Sequence, residues 1–198
     1  MNQDGAANGR RRFLTAATTV VGGVGAAFLA VPFLTYWRPS ARAQALGAPV
    51  EIDVTGLEQG QLINVSWRGR PVWVFRRTEE QLEALEEIAS ELRDPDSSSG
   101  QQPEYARNRH RSREPEVMVL VGICTHLGCS PQFRPDERPS GVDREWRGGF
   151  YCGCHGSFFD LAGRVYTGVP AALNLEVPPH YYIDENTLLV GEDNGGAA

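Results

Sequence analysis

An excess of positive charge is what this sequence most plainly lacks. Its 198 residues carry a formal net charge of −6, whereas nucleic-acid-binding domains are usually clearly basic, so no nucleic-acid footprint is expected. Cysteine is scarce and unevenly placed. All four cysteines lie between 124 and 155, and their local pattern mixes Cys with His, which is not a scattered disulfide framework. Internal repeats are absent, apart from two short Cys/His boxes. The length leaves room for one membrane segment and one globular domain, not for two large cores.

Charge is also missing from one continuous stretch. From Phe13 to Tyr36 no residue is charged, and Ala, Val, Gly, Leu and Phe dominate. At 1.5 Å per residue, about 20 such residues cross a hydrocarbon core of roughly 30 Å. Arg10, Arg11 and Arg12 precede the run, with Asp4 the only acid before them. Basic residues on that side put the N-terminus in the cytoplasm and the following head on the periplasmic side of a bacterial inner membrane. Arg10-Arg11-Arg12-Phe13-Leu14 also resembles a twin-arginine (Tat) export signal, a pathway that carries folded proteins with cofactors already inserted. Ser40-Ala41-Arg42-Ala43 has cleavage-like spacing. The apolar run exceeds a signal core of about 7–15 residues, which favours a retained anchor. The expected organisation is a basic segment at 1–12, a transmembrane helix at 13–36, a flexible tether at 37–49, a head at 50–191 and a C-terminal tail at 192–198.

The head reads as mainly β. Ile63, Val65 and Trp67 alternate with polar residues. Val72 to Phe75 follow Arg68-Gly69-Arg70-Pro71, which makes a hairpin. The unbroken run Val117–Val121 predicts a strand buried on both faces. Further strands are expected at Phe150–Tyr151, Arg164–Tyr166, Leu173–Val177, Tyr181–Ile183 and Leu188–Val190. Thr78 and Gln81 form a capping box ahead of Leu82, Leu85, Ile88 and Leu92 at helical spacing, and Asp94-Pro95 ends that helix. The polar segment 94–115 has no periodicity, and both disorder and partner docking are open for it. His110 and His180 read as surface residues.

The chemistry sits in two boxes, Cys124-Thr125-His126-Leu127-Gly128-Cys129 and Cys152-Gly153-Cys154-His155-Gly156-Ser157. Each offers a thiol and an imidazole at short spacing on a glycine-containing loop, where the backbone can approach a metal closely. Two readings fit. Two Cys and two His hold a structural zinc, or Cys124 and Cys152 hold one iron of a 2Fe-2S cluster while His126 and His155 hold the other, the known Rieske arrangement. Two neutral imidazoles in place of thiolates remove negative charge from the ligand shell, which makes an added electron less repelled. Histidine also titrates near neutrality, so electron transfer can couple to proton transfer. A zinc site would leave Cys129 and Cys154 as idle thiols in an oxidising compartment, which weighs against it. As a disulfide the pair would pin the two loops together.

These boxes resemble those of the Rieske iron–sulfur subunits of ubiquinol–cytochrome c oxidoreductase, the cytochrome bc complex. The resemblance runs from Arg10 to about Gly191. It includes Trp67–Pro71, Leu92–Pro95, Gln102–Tyr105, Gly122–Cys129, Gly168–Pro170 and Asn174–Pro178. It implies a head of antiparallel sheets with a cluster-binding subdomain at about 122–170, and with the helix and polar insertion at about 78–116. It implies one 2Fe-2S cluster, with His155 at the exposed tip hydrogen-bonding ubiquinol and accepting its proton. Leu127 contacts the quinone pocket or serves as an apolar lid. The implied partners are the cytochrome b subunit and a membrane-anchored c-type cytochrome within a dimeric complex, with residues 37–49 as the hinge.

The sequence departs from the best-known members at three places. The gap between His126 and Cys152 is long, with the excess expected in Arg134–Arg147. Gly153 stands where proline is common. Phe159 stands where many members have a tyrosine that donates to a ligand sulfur. Hydrogen bonds to the sulfurs raise the potential, so Phe159 implies a lower one, while Ser157 is expected to donate to a bridging sulfide. Competing functions are the Rieske subunit of an exported molybdenum oxidoreductase such as arsenite oxidase, and the ferredoxin of a ring-hydroxylating dioxygenase. The second usually lacks Cys129, Cys154 and the anchor.

Overall fold

A computed structural model describes residues 3–193. The expected tail at 192–198 lies, from 194 onward, outside the described residues. Contacts divide the chain into two units, one ending at Ala45 and one beginning at Leu46.

The first unit is dominated by α1 (Gln3–Tyr36), an apolar helix of 34 residues that is long enough to cross a membrane. Its large apolar side chains are exposed, and Phe13, Val21, Phe28 and Phe33 are more than two-thirds exposed. Such an exposed apolar surface suits a helix that faces lipid. Within 37–49, where the sequence suggests a flexible tether, Ala41–Gly47 form the short helix α2. The alanines favour helix, and the Ser40 hydroxyl accepts the Ala43 N–H at 3.2 Å.

The head contains nine strands in three antiparallel sheets. One sheet pairs β1 (Val50–Asp53), β9 (Thr187–Val190) and β8 (His180–Asp184). The middle sheet pairs β2 (Leu62–Trp67), β3 (Arg70–Arg76) and β4 (Val117–Val121), and its hairpin turns on Arg68 and Gly69, both at positive φ. The third sheet pairs β5 (Gln132–Arg134), β6 (Gly149–Cys152) and β7 (Ser157–Phe159). The capping box at Thr78 and Gln81 is present, and it opens α3 (Glu79–Glu87). A 3-10 turn at Ala89–Glu91 follows.

The middle sheet is buried on both faces, which explains the unbroken apolar run in β4. Val72, Val74, Val117, Val119 and Val121 face Ile52, Leu188 and Val190 in one core. Trp73, Phe75, Met118 and Leu120 face α3 and the third sheet in another, which also contains Cys124 and Cys152. Alternation along each strand sends successive side chains to opposite cores.

The structure departs from the sequence expectations in several places. Leu173–Val177 and Arg164–Tyr166 are extended but form no ladder. Their backbone groups go one by one to separate partners, Leu175 N–H to Gly163, Val177 N–H to Gln101 and Val165 N–H to the Asn174 side chain. The strands β1, β5 and β7 are too short to show a pattern in the sequence. The polar insertion is folded onto the head, with a 3-10 turn at Glu104–Ala106 and with Ser97, Ala106, Arg111 and Ser112 buried. His180 is 1% exposed rather than on the surface. Its Nδ1 lies 2.8 Å from the Pro178 carbonyl and 3.2 Å from the Tyr105 hydroxyl, which makes burial of the neutral ring tolerable. His110 is half-buried.

Candidate metal centre

Both boxes adopt the same local turn. The Gly128 N–H donates to the Cys124 carbonyl and the Gly156 N–H to the Cys152 carbonyl, each at 3.0 Å. Both glycines have positive φ, 85° and 75°, a conformation that a Cβ makes costly. The common element in the sequence is therefore a glycine four residues after each first cysteine, a regularity easily missed because the histidines sit at different offsets.

The first loop leaves β4 through Gly122, where a Cβ would overlap the Trp73 indole. The second connects β6 to β7, in which Cys152 pairs with Ser157. Trp73 stacks on Phe150 at 4.9 Å, joining the middle sheet to the sheet that carries the second loop. The two loops are linked covalently by the Cys129–Cys154 disulfide, with a Cα separation of 6.8 Å. The Cys124 N–H also donates to the Cys129 carbonyl at 2.7 Å. A third segment, 168–173, braces both loops. The Thr125 hydroxyl donates to the Leu173 carbonyl at 2.6 Å, and the Ala171 N–H donates to Ser157 Oγ at 3.0 Å. Sequence reasoning assigned no role to Thr125, Ala171 or Leu173. The only signal was Gly168-Val169-Pro170, a turn-like stretch with no chemistry of its own.

Cys124 and Cys152 remain free thiols, and both are buried. Burial pushes the Cys124 thiol above its ordinary value, against the His126 N–H that lowers it, and the adjacent Cys152 thiol raises it further. The Cys152 sulfur lies within 4.8 Å of the sulfurs of Cys129 and Cys154. That trio is not a metal site, because two of its members are consumed in the disulfide. The His126 and His155 rings stand edge to face at 4.8 Å. The Nδ1 atom of His126 is buried without a hydrogen-bond partner. An imidazole nitrogen in that position loses its hydration without compensation, unless a metal takes its lone pair. Two buried thiols, a pair of facing imidazoles and an orphaned ring nitrogen fit a sulfur- and nitrogen-ligated metal group.

Residues 98–179 match the family model described as the Rieske [2Fe-2S] domain. Residues 1–40 match that described as the Ubiquitinol-cytochrome C reductase Fe-S subunit TAT signal. The ubiquinol-cytochrome c reductase iron-sulfur subunit of Allochromatium vinosum is 53% identical over 197 residues, covering 100% of this chain and 95% of that protein. The chain belongs to the family of ubiquinol-cytochrome c reductase iron-sulfur subunits. The corresponding protein of Rhodospirillum rubrum is 39% identical over 188 residues, covering 94% of each chain. A chain of a solved hyperthermophilic respiratory complex III aligns with a TM-score of 0.50 and 28% identity, over 89% of this chain and 98% of its own. As a Rieske iron–sulfur subunit, the chain carries a 2Fe-2S cluster and is a component of an oxidoreductase complex. The zinc alternative is thereby removed.

Proposed function

We propose that Cys124, Cys152, His126 and His155 hold the 2Fe-2S cluster, and that this subunit takes an electron and a proton from ubiquinol and delivers the electron to a membrane-anchored c-type cytochrome. A gradient of exposure across the site carries this reading. The two thiols are 2% exposed, His126 is half-buried, and His155 is exposed. When bound, the cluster supplies a one-electron acceptor. The residues supply the rest. Burial keeps both thiols from water, the His126 and Leu127 N–H groups bond the Cys124 thiol, and the glycine N–H groups fix the two loops through the cysteine carbonyls. His155 presents its ring to the solvent side, where it hydrogen-bonds the quinol hydroxyl and takes its proton. Leu127, 71% exposed, offers an apolar surface for the quinone ring.

Ser157 and Phe159 set the environment of the sulfurs. Ser157 Oγ already accepts the Ala171 N–H, which leaves its hydroxyl proton to donate toward the cluster. Phe159 is fully buried and has no hydroxyl to donate. Residues 1–12 stay cytoplasmic, 13–36 span the membrane and 37–49 tether the head, 50–191, on the periplasmic side. The complex also contains cytochrome b, and it is a dimer. EPR of the reduced protein in membranes, with and without a quinol-site inhibitor, tests the reading. The expected result is a Rieske spectrum that changes with the inhibitor. A spectrum indifferent to it, or co-purification with molybdenum instead of b- and c-type haem, would refute the quinol-oxidising role.

A further inference from the structure

Beneath the second ligand loop lies a group of buried charges that the proposed chemistry does not use. Arg77 and Arg111 are 0% exposed and Arg164 is 3% exposed. Asp160 is the buried carboxylate among them, and it is engaged by Arg164, whose Nε lies 2.7 Å from its Oδ2. Among the described residues, neither Arg77 nor Arg111 has a carboxylate within ion-pair distance. Neutral groups solvate them instead. Arg111 donates to the Ala162 and Leu175 carbonyls at 2.8 Å each and to Gln102 Oε1 at 3.1 Å. Arg77 donates to the carbonyls of His110, Leu161 and Pro115 and to the Ser112 hydroxyl. Through space, Asp160 is the acid that acts on both, and Asp94, whose oxygens are taken by Ser98 and Ser99, acts on Arg111 as well.

Arg111 is held in a shaped socket. Its own backbone is left-handed, with φ 53° in a non-glycine residue. Backbone in that region persists only where the surroundings enforce it. Across from it, Gly163 (φ 71°) leaves room for the guanidinium. A Cβ there would lie 3.2 Å from Arg111 Nη1 and 2.8 Å from Leu120. Burial lowers Arg111 to about 10 and Arg77 to about 9, so both remain protonated at neutral pH.

We propose that Arg111, delivered by the 94–115 insertion, is a positioning residue that both fixes the turn following β7, the strand after the second ligand loop, and raises the reduction potential of the centre. The inference rests on the ligand assignment above. Ser157, paired with Cys152, is three residues from Asp160, about 10 Å along an extended strand. Leu161 and Ala162, whose carbonyls the guanidiniums hold, share one apolar core with Cys124 and Cys152. Through such a medium a buried charge is weakly screened. Asp160 offsets part of this charge, but three guanidiniums against one buried carboxylate leave the group net positive, so an added electron on the cluster is attracted and reduction becomes more favourable. The insertion thus has a use that its polar, aperiodic sequence conceals.

The test is a redox titration of the holo-complex, followed by EPR, with thermal unfolding alongside. Gln102→Glu is nearly isosteric and sets a carboxylate against Arg111. Because the Gln102 amide also donates to the Ser97 carbonyl at 2.6 Å, the deciding readout for this variant is the potential, where reduction should become about threefold or more less favourable. Arg111→Lys keeps the charge and loses the fork, so it should lower the melting temperature and largely keep the potential. Arg111→Gln should lower both. A Gln102→Glu protein that shows the Rieske spectrum at the unaltered potential overturns the proposal. Equal shifts in the Lys and Gln variants overturn it as well. The ligand assignment is tested separately by loss of the EPR signal in Cys124→Ser, so a failure there is told apart from a failure of Arg111.

Discussion

At the base of the head, Val72, Val74, Val117, Val119 and Val121 close against Ile52, Leu188 and Val190 over two sheets. At the tip, the ligand loops hang on a disulfide, two glycine turns and the bonds Thr125–Leu173 and Ser157–Ala171. The base is stabilised by apolar area spread over many residues, so no single contact dominates. The tip depends on a few directional bonds, because a site that must expose His155 and Leu127 cannot bury enough surface to hold itself. Loss of one base methyl is therefore graded, while loss of one tip bond is felt at the cluster.

The sharpest break of this contrast is Gly149→Ala. Gly149 lies at φ 153° and a Cβ there would overlap the Phe159 carbonyl. The variant should lose about 4 kcal/mol or more and fail to retain the cluster absorbance, as seen by thermal unfolding and visible spectra. Replacing Cys129 and Cys154 together by serine comes next. The bridge spans 25 positions, and by chain entropy its removal costs roughly 3–4 kcal/mol. The cluster signal should disappear at a temperature where the far-ultraviolet signature of the base persists. Simultaneous loss of both would show that tip and base form one cooperative unit.

Acid should act on the other region. Burial depresses His180 to about 4, so the folded head holds it neutral where the unfolded chain protonates it. Its contribution is complete above about pH 6.5 and is lost as pH falls toward 4, up to about 3 kcal/mol. Melting temperatures measured across that window should flatten in His180→Gln; an unchanged slope would assign the acid sensitivity elsewhere. The smallest structural effects are at Phe159 and Ser157. Phe159→Tyr should raise the potential and Ser157→Ala lower it. Both should also lower the melting temperature modestly, the first by placing a hydroxyl in a fully buried site and the second by leaving the Ala171 N–H without its acceptor. A redox titration of Phe159→Tyr that shows no rise would remove the hydroxyl argument.

Much of this was legible in the chain. The charge-free run, the capping box at Thr78 and Gln81, the hairpin around Gly69 and the doubly buried Val117–Val121 are local patterns whose cause lies within a few residues. The two boxes declare their chemistry for the same reason, since ligands on one loop must be close in sequence. What stayed hidden depends on residues far apart. His180 has an ordinary surface-like context, yet Tyr105 comes from 75 positions away to satisfy it. Leu173–Val177 has strand-like residues, but the neighbouring backbone runs to several partners and no ladder can form. The 94–115 segment looks unstructured because its anchoring cation, Arg111, packs against carbonyls 51 and 64 positions distant.

The sequence by itself determined that a membrane-length helix precedes a β-rich head and that thiols and imidazoles meet in two glycine loops, because period, length and ligand spacing are local properties. Only the tertiary structure decided that His180 is buried, that the 94–115 segment folds onto the head, and that three guanidiniums lie buried behind the second loop. Burial and pairing depend on what the rest of the chain brings to a residue. No window of neighbours records that.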